Sequence, residues 1–232
     1  MASTIHVHCI DLDAADLDPE RIEAILEPDE RARAARFRFA RDRRRYVVRH
    51  AVLRTLLVAP CGSSPAALRF AFNAQGKPSL DGGPEFNISH SHGHALIAIG
   101  SDHAVGCDIE WRDASFAEET IAEQLFSGRE VTALRGLPED LQARAFFDCW
   151  TRKEAYIKAR GLGLSLPLDS FDVSVDPRQP AALLQGCDGW CIRSFEPAPD
   201  FHAAVVAPDC GWNMAVHPRL HVRDLLCDFA SV

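Results

Sequence analysis

A chain of 232 residues that is 47% hydrophobic and 25% charged can bury a substantial core, as one large domain or two tightly fused ones. Its net charge of −8 argues against nonspecific binding of nucleic acid or of an anionic membrane by the whole surface. No run approaches the roughly 20 apolar residues of a membrane helix, and the amino terminus lacks the basic-then-apolar layout of a signal peptide, so a cytoplasmic protein is expected.

The opening Ile5-His6-Val7-His8-Cys9-Ile10 alternates as a strand does, and Asp11 to Leu26 reads as loop and helix. Pro28-Asp29-Glu30 marks a helix start. Helical spacing continues to about Leu57, with a break near Arg41-Asp42, before Pro60-Cys61-Gly62. Short strands follow at Leu68 to Phe72, Glu85 to Ile88, Ala95 to Ile99 and Ala104 to Trp111, close enough together to predict an antiparallel sheet. Ser127 and Glu130 have capping-box spacing, and Pro138-Glu139-Asp140 opens a long helix ending at Gly161. Further strands are expected near Ser170 to Val175, Gly189 to Glu196, His202 to Ala207 and Asn213 to Val216. The order of strand, helices, strands, helices, strands fits an α+β fold.

Eight cysteines are scattered along the chain; only Cys187 and Cys191 lie close, as a CxxxC beside the turn Asp188-Gly189. No second pair of soft ligands follows at zinc-finger spacing, so free, mostly buried thiols are expected.

Chemistry concentrates in three segments. In Val105-Gly106-Cys107-Asp108-Ile109-Glu110-Trp111, a strand would project Asp108 and Glu110 from one face, about 7 Å apart along the backbone, while Cys107, Ile109 and Trp111 enter the core. Two such carboxylates repel, and a hard cation such as Mg²⁺ removes the penalty. Alone, the pair reads better as an exposed acidic strand face. The long helix carries Trp150, Glu154 and Lys158 at i, i+4 and i+8, so one face presents an aromatic ring, a carboxylate and an ammonium. A surface ion pair is the commonest use of that spacing, but joined to the D-x-E strand it supplies what a metal-bound phosphate requires. Finally, Phe86-Asn87-Ile88-Ser89-His90-Ser91-His92-Gly93-His94 runs from a strand into a polar loop, where Ser89 and His90 are phosphate-donor candidates. His92 and His94 read as exposed loop residues. An arginine-rich helix places Arg41, Arg45 and Arg49 on one face, where their mutual repulsion calls for an anionic partner.

These residues resemble the 4'-phosphopantetheinyl transferase family, of the type that activates surfactin synthetase. The matching segments are QGKP at 75 to 78, FNISHS at 86 to 91, VGCDIE at 105 to 110 and WTRKEAYIKARGLGLSLPLDSF at 150 to 171, within a likeness spanning roughly residues 28 to 175. The resemblance implies two similar halves related by a pseudo-twofold axis, with coenzyme A and Mg²⁺ in the cleft between them. Residues 1–104 would bind the nucleotide and residues 105–232 would carry the metal and catalytic groups. Asp108, Glu110 and Glu154 would hold Mg²⁺; Lys158, Ser89 and His90 would contact phosphate oxygens; Gly76, Lys77 and Pro78 would border the nucleotide; Arg33 and Arg45 would meet the 3'-phosphate. Glu30 stands where family members often carry a basic residue.

The expected reaction is attack by a serine of an apo acyl or peptidyl carrier protein on the β-phosphate of coenzyme A, releasing 3',5'-ADP. Asp108, Glu154 and Lys158 are its catalytic candidates, with Glu154 as base directly or through metal-bound water. The carrier is expected to be acidic, with Leu125 and Phe126 a docking candidate by resemblance, and the enzyme a monomer. Two rivals differ in class: a metal-dependent phosphohydrolase built on His90, His92, His94 and Asp108, and a catalytically dead coenzyme A or carrier-protein binder.

Overall fold

The structure, a computed structural model, describes residues 3–13, 22–100, 103–113, 120–217 and 222–227. The chain opens on β1 (Thr4–Asp11), α1 (Pro28–Ala34) and α2 (Ala40–Cys61), then runs through β2 (Phe70–Phe72), β3 (Pro78–Leu80), β4 (Glu85–Ser91), β5 (His94–Gly100) and β6 (Gly106–Trp111). Three helices follow, α3 (Ile121–Leu125), α4 (Gly128–Arg135) and α5 (Glu139–Arg160), before β7 (Trp190–Phe195), β8 (Phe201–Pro208), β9 (Asn213–His217) and α6 (Val222–Cys227). The expected α+β order holds. Residues 14–21, half of the predicted loop and helix from Asp11 to Leu26, lie outside the described residues.

Two sheets stack between two long helices. The first has strand order β4-β5-β1-β9 and the second β6-β8-β7, with β2 and β3 forming a separate ribbon. Strand alternation builds the layers. On β1, Ile5, Val7 and Cys9 pack toward the second sheet, where they meet Cys107, Ile109, Ala203 and Val205, while Ile10 turns to α2. On β8, Ala204 and Val206 turn to α5 and its Phe146, Tyr156 and Ile157. Each sheet is therefore buried on both faces, which explains its nearly continuous apolar strands. Most pairs are antiparallel, as expected, but β9 joins β1 in parallel and carries the end of the chain back to the first sheet.

Several boundaries moved. The helical break falls at residues 35–39, ahead of Arg41-Asp42, and α2 runs through Pro60 before Gly62 ends it in the left-handed conformation at φ 60°. The stretch Ser170 to Val175 forms only an isolated bridge, Val173 to Leu183, while the turn after Lys77 opens a short strand, β3. The predicted capping box of α4 is present, with Ser127 and Glu130 exchanging hydrogen bonds. One expectation about cysteines is corrected: Cys191 is bonded to Cys210, with Cα atoms 5.3 Å apart. The antiparallel register of β7 and β8 brings the loop after Pro208 back beside Cys191, a proximity invisible in the CxxxC spacing; Cys187 is free and buried.

Candidate active site

Gly106 sets the distance between helix and sheet. A Cβ there would lie 2.2 Å from the Ala155 carbonyl oxygen and from the Ala159 amide nitrogen, so α5 rests directly on β6 only because the residue is glycine. This contact brings Trp150, Glu154 and Lys158 over the face from which Asp108 and Glu110 project. Cys107 and Ile109 point the other way into the inter-sheet core, as alternation predicts.

The segment FNISHS supplies the other wall through the same period of two. Asn87, Ser89 and Ser91 are buried and turn toward β6, whereas Phe86 and Ile88 pack toward α2. Asn87 Oδ1 accepts from the Cys107 amide at 2.9 Å, Ser89 Oγ donates to Asp108 Oδ1 at 2.7 Å, and Ser91 Oγ donates to Glu110 Oε2 at 2.8 Å. A polar ladder therefore joins the edges of the two sheets. Ser89, expected among the phosphate contacts, here braces Asp108.

Charge at this seam is unevenly compensated. Lys158 Nζ donates to Asp108 Oδ1 at 2.5 Å and to Ser89 Oγ at 2.9 Å. Asp108 is 1% exposed, and its Oδ2 is buried without any hydrogen-bond partner. Burial opposes the Lys158 charge, yet Asp108 and Glu154 hold its pKa above the usual lysine value. Glu110 is pushed up to about 7 by burial and then by the Asp108 carboxylate, despite hydrogen bonds from Ser91 and Trp150. Glu154 is raised for the same two reasons. Three carboxylates thus share one ammonium. Among the described residues no three acidic, histidine or cysteine side chains already converge closely enough to grip a metal ion.

Beside the seam lies a cavity of about 310 Å³ lined from both parts of the chain: Arg33, Arg49, His50, Gly76, Lys77, Pro78, Ile88 and His90 on one side, Ile157, Lys158 and Gly161 on the other. The predicted residues Arg33, Gly76, Lys77, Pro78, His90 and Lys158 therefore meet in one place. His90 stands among cations; desolvation, then Arg49, Lys158 and Arg45, pull its pKa down to about 4, so the ring is neutral near pH 7. Gly76 has φ 82° in the turn that starts this rim. Lys77 Nζ donates to the carbonyls of Val105 and Ala159 at 3.0 and 3.2 Å, tying the turn to β6 and α5. Arg45 is absent from the cavity wall and is paired with Asp13, its Nε donating to Oδ1 at 2.8 Å. A larger cavity of about 620 Å³, walled in part by Phe37, Arg38, Arg43 and Val47, contains none of the predicted site residues.

The chain matches the 4'-phosphopantetheinyl transferase superfamily over residues 104–206, and the N-terminal model of 4'-phosphopantetheinyl transferases over residues 18–102. It is 34% identical over 218 residues to the 4'-phosphopantetheinyl transferase HetI of Nostoc sp., covering 92% of this chain and 91% of that protein. The chain belongs to the 4'-phosphopantetheinyl transferase superfamily. It is also 32% identical to the transferase Sfp of Bacillus subtilis, over 81% of this chain and 84% of Sfp, and 36% identical to the transferase gsp of Aneurinibacillus migulanus, over 60% and 57%.

Within this transferase several motif residues do structural work. Lys153 is fully buried, pairs with Glu130 at 2.7 Å and donates to the carbonyls of Leu168 and Phe171. Glu30 caps α1 and pairs with the buried Arg54 at 2.7 Å. Of the docking candidates, Phe126 is buried against Phe146 and Trp150, and Leu125 is half-buried on the same core. The histidine cluster of the phosphohydrolase rival does not assemble. His92 lies against Trp111 and His94 against Phe201, at 4.4 and 4.2 Å between ring centroids. Arg49 and His50 are cavity residues that motif matching passed over, because a helix of many arginines gives no sign of which ones face a pocket.

Proposed function

We propose that this chain transfers the 4'-phosphopantetheine arm of coenzyme A to a serine of an acidic apo acyl or peptidyl carrier protein, releasing 3',5'-ADP. The observation that carries it is the pairing of a basic cavity, of the size small ligands occupy, with the Asp108, Glu110 and Glu154 cluster beside it, joined through Lys158, which lines the cavity and bonds Asp108. In this reading the nucleotide lies against Gly76-Lys77-Pro78 and His90, with Arg33 at its phosphate end. Lys158 faces the pyrophosphate and is the cation that takes up charge on the transferring group. Glu154, whose pKa is raised by burial and by the Asp108 carboxylate, is the candidate acceptor of the serine proton. The serine Oγ forms a new bond to the β-phosphorus, the bond from that phosphorus to the bridging oxygen breaks, and the electron pair leaves with 3',5'-ADP.

The residues also fit Mg²⁺. The unpartnered Asp108 Oδ2 and the two carboxylates that resist ionisation are what a hard divalent cation would satisfy, so Asp108, Glu110 and Glu154 are assigned to hold it. When bound, it would supply charge stabilisation to the phosphates. We further read the chain as a monomer of two related halves, residues 1–104 for the nucleotide and 105–232 for the metal and chemistry. Supporting a pseudo-twofold relation, each half rests a 22-residue helix on a mainly antiparallel sheet, and each helix ends on a left-handed glycine, Gly62 or Gly161.

The test is incubation with coenzyme A, Mg²⁺ and several apo carrier proteins, followed by intact mass measurement. The expected outcome is a gain of one phosphopantetheine on a carrier serine. No gain on any carrier overturns the reading.

A further inference from the structure

Three histidines that the reaction does not use gather where the chain's last strand returns to its first. On β1, Val7 and Cys9 point into the inter-sheet core, so His6 and His8 project from the opposite face by strand alternation. His217 closes β9, and the parallel register of β1 and β9 sets it beside His8 on that same face. His6 and His217 are exposed and His8 is half-buried. His6 Nδ1 stands 3.2 Å from His217 Nε2, nitrogen facing nitrogen. The His8 and His217 rings lie flat on each other, 4.4 Å between centroids and 9° between planes. None of the three lines the 310 Å³ cavity, and β5 separates β1 from β4 with its FNISHS segment. His6 and His8 instead line a second cavity of about 420 Å³, together with Leu56 and Pro60 of α2 and with Pro84.

Imidazoles are largely neutral above pH 7, each with one nitrogen carrying a proton and the other a lone pair. Two such rings that meet nitrogen to nitrogen share a single proton in a hydrogen bond, and a cation that replaces this proton satisfies both lone pairs at once. The spacing suits that exchange. Two nitrogens bound at 2.0–2.1 Å to one tetrahedral ion stand about 3.3 Å apart, close to the 3.2 Å found between His6 and His217. Stacking against His8 fixes the plane of the His217 ring, so less side-chain freedom is lost when an ion binds. Imidazole nitrogen selects nickel, copper and zinc over magnesium, which prefers oxygen.

We infer that His6 and His217 form a two-histidine clamp for a divalent d-block cation, of the nickel, copper or zinc kind, that ties the returning strand β9 to β1. Water completes the coordination, in keeping with the absence of three converging ligand side chains among the described residues. The clamp is separate from the carboxylate cluster of Asp108, Glu110 and Glu154, and the inference does not depend on the transferase reading.

The experiment is calorimetric titration of the untagged full chain with NiCl₂, in a buffer whose excess MgCl₂ occupies the oxygen-ligand sites. Wild type is expected to take up one ion per chain in a saturable step. His6→Ala and His217→Ala should each weaken uptake by at least about 10-fold, since loss of a residue that merely supports a ligand already costs roughly 10- to 100-fold. His92→Ala, at an exposed histidine in the turn between β4 and β5, should leave affinity within about 2-fold, the residue being no ligand. Ni²⁺ should also raise the melting temperature of wild type and not that of His217→Ala, because an ion that binds only the folded pair stabilises it. Should an alanine variant fail to fold, His217→Gln carries the test, keeping a polar side chain of similar size without the imidazole. Absence of saturable uptake by wild type, or uptake that survives both the His6 and the His217 substitutions, overturns the inference and leaves the pair as a hydrogen bond alone.

Discussion

Asp108 illustrates how one carboxylate organises a site. One oxygen takes Lys158 and Ser89, the other has no partner, and the charge that remains raises its neighbours. The consequence for Glu110 has a definite sign. Its folded pKa of about 7 lies above the unfolded value near 4.5, so its contribution to stability in metal-free protein is complete below about pH 4.5 and is lost as pH rises through about 7. Thermal melts in a chelator should show this decline, and Glu110→Gln should remove its share, leaving that of Glu154, whose pKa is raised by the same causes. Added Mg²⁺ should raise the melting temperature more at pH 8 than at pH 6, because binding requires the ionised form. Glu154→Gln is a separate test of the proton acceptor. It should lower kcat by roughly 10²- to 10⁴-fold while leaving coenzyme A affinity, measured by calorimetry, within about the few-fold range of uniform binding effects. The D-x-E alternation and the i, i+4, i+8 face were readable in the chain because both depend only on local backbone period. The unpartnered oxygen and the raised pKa values were not, since they arise from burial between elements remote in sequence.

At the scale of elements, α5 has two personalities. One face carries Trp150, Glu154 and Lys158 to the seam; another drives Lys153 into the second core, where Glu130 and two carbonyl oxygens surround it. Both lysines sit in the same short motif, and composition does not separate a pocket lysine from a structural one. Lys153→Met should destabilise the protein by about 3–5 kcal/mol, the usual effect of stranding one member of a buried ion pair, read from urea unfolding. Its activity per folded molecule should change far less. Helix ends were legible wherever a local rule acts, as at Pro28, Ser127 and Gly161. The break at 35–39 and the continuation of α2 through Pro60 were misplaced, because α1, α2 and the sheet beneath them decide where a polar, arginine-rich segment bends.

Across the whole molecule, the four-layer order of helix, sheet, sheet and helix positions everything else. β4 and β6 sit at neighbouring edges, so FNISHS and VGCDIE meet although they belong to different sheets. The end of the chain contributes to the beginning: β9 covers an edge of β1, and Val222 and Leu226 of α6 pack into the core beside α2. A chain ended after Trp212 should lose on the order of 3–6 kcal/mol from those two side chains alone, with a correspondingly lower urea midpoint; unchanged unfolding would show that the returning segment contributes nothing.

Taken by itself, the sequence determined the α+β order and the membership of the family through four ordered motifs, and it singled out candidate residues for the site. Those properties are carried by local period, by caps and by residue identity, all of which act over a few positions. The tertiary structure alone decided that Ser89 braces Asp108, that Lys77 and Lys153 bind backbone carbonyls, that Cys191 meets Cys210, and that Arg49 rather than Arg45 faces the cavity. Each of these is a question of which distant group reaches a side chain first, and only the packing of the layers answers it.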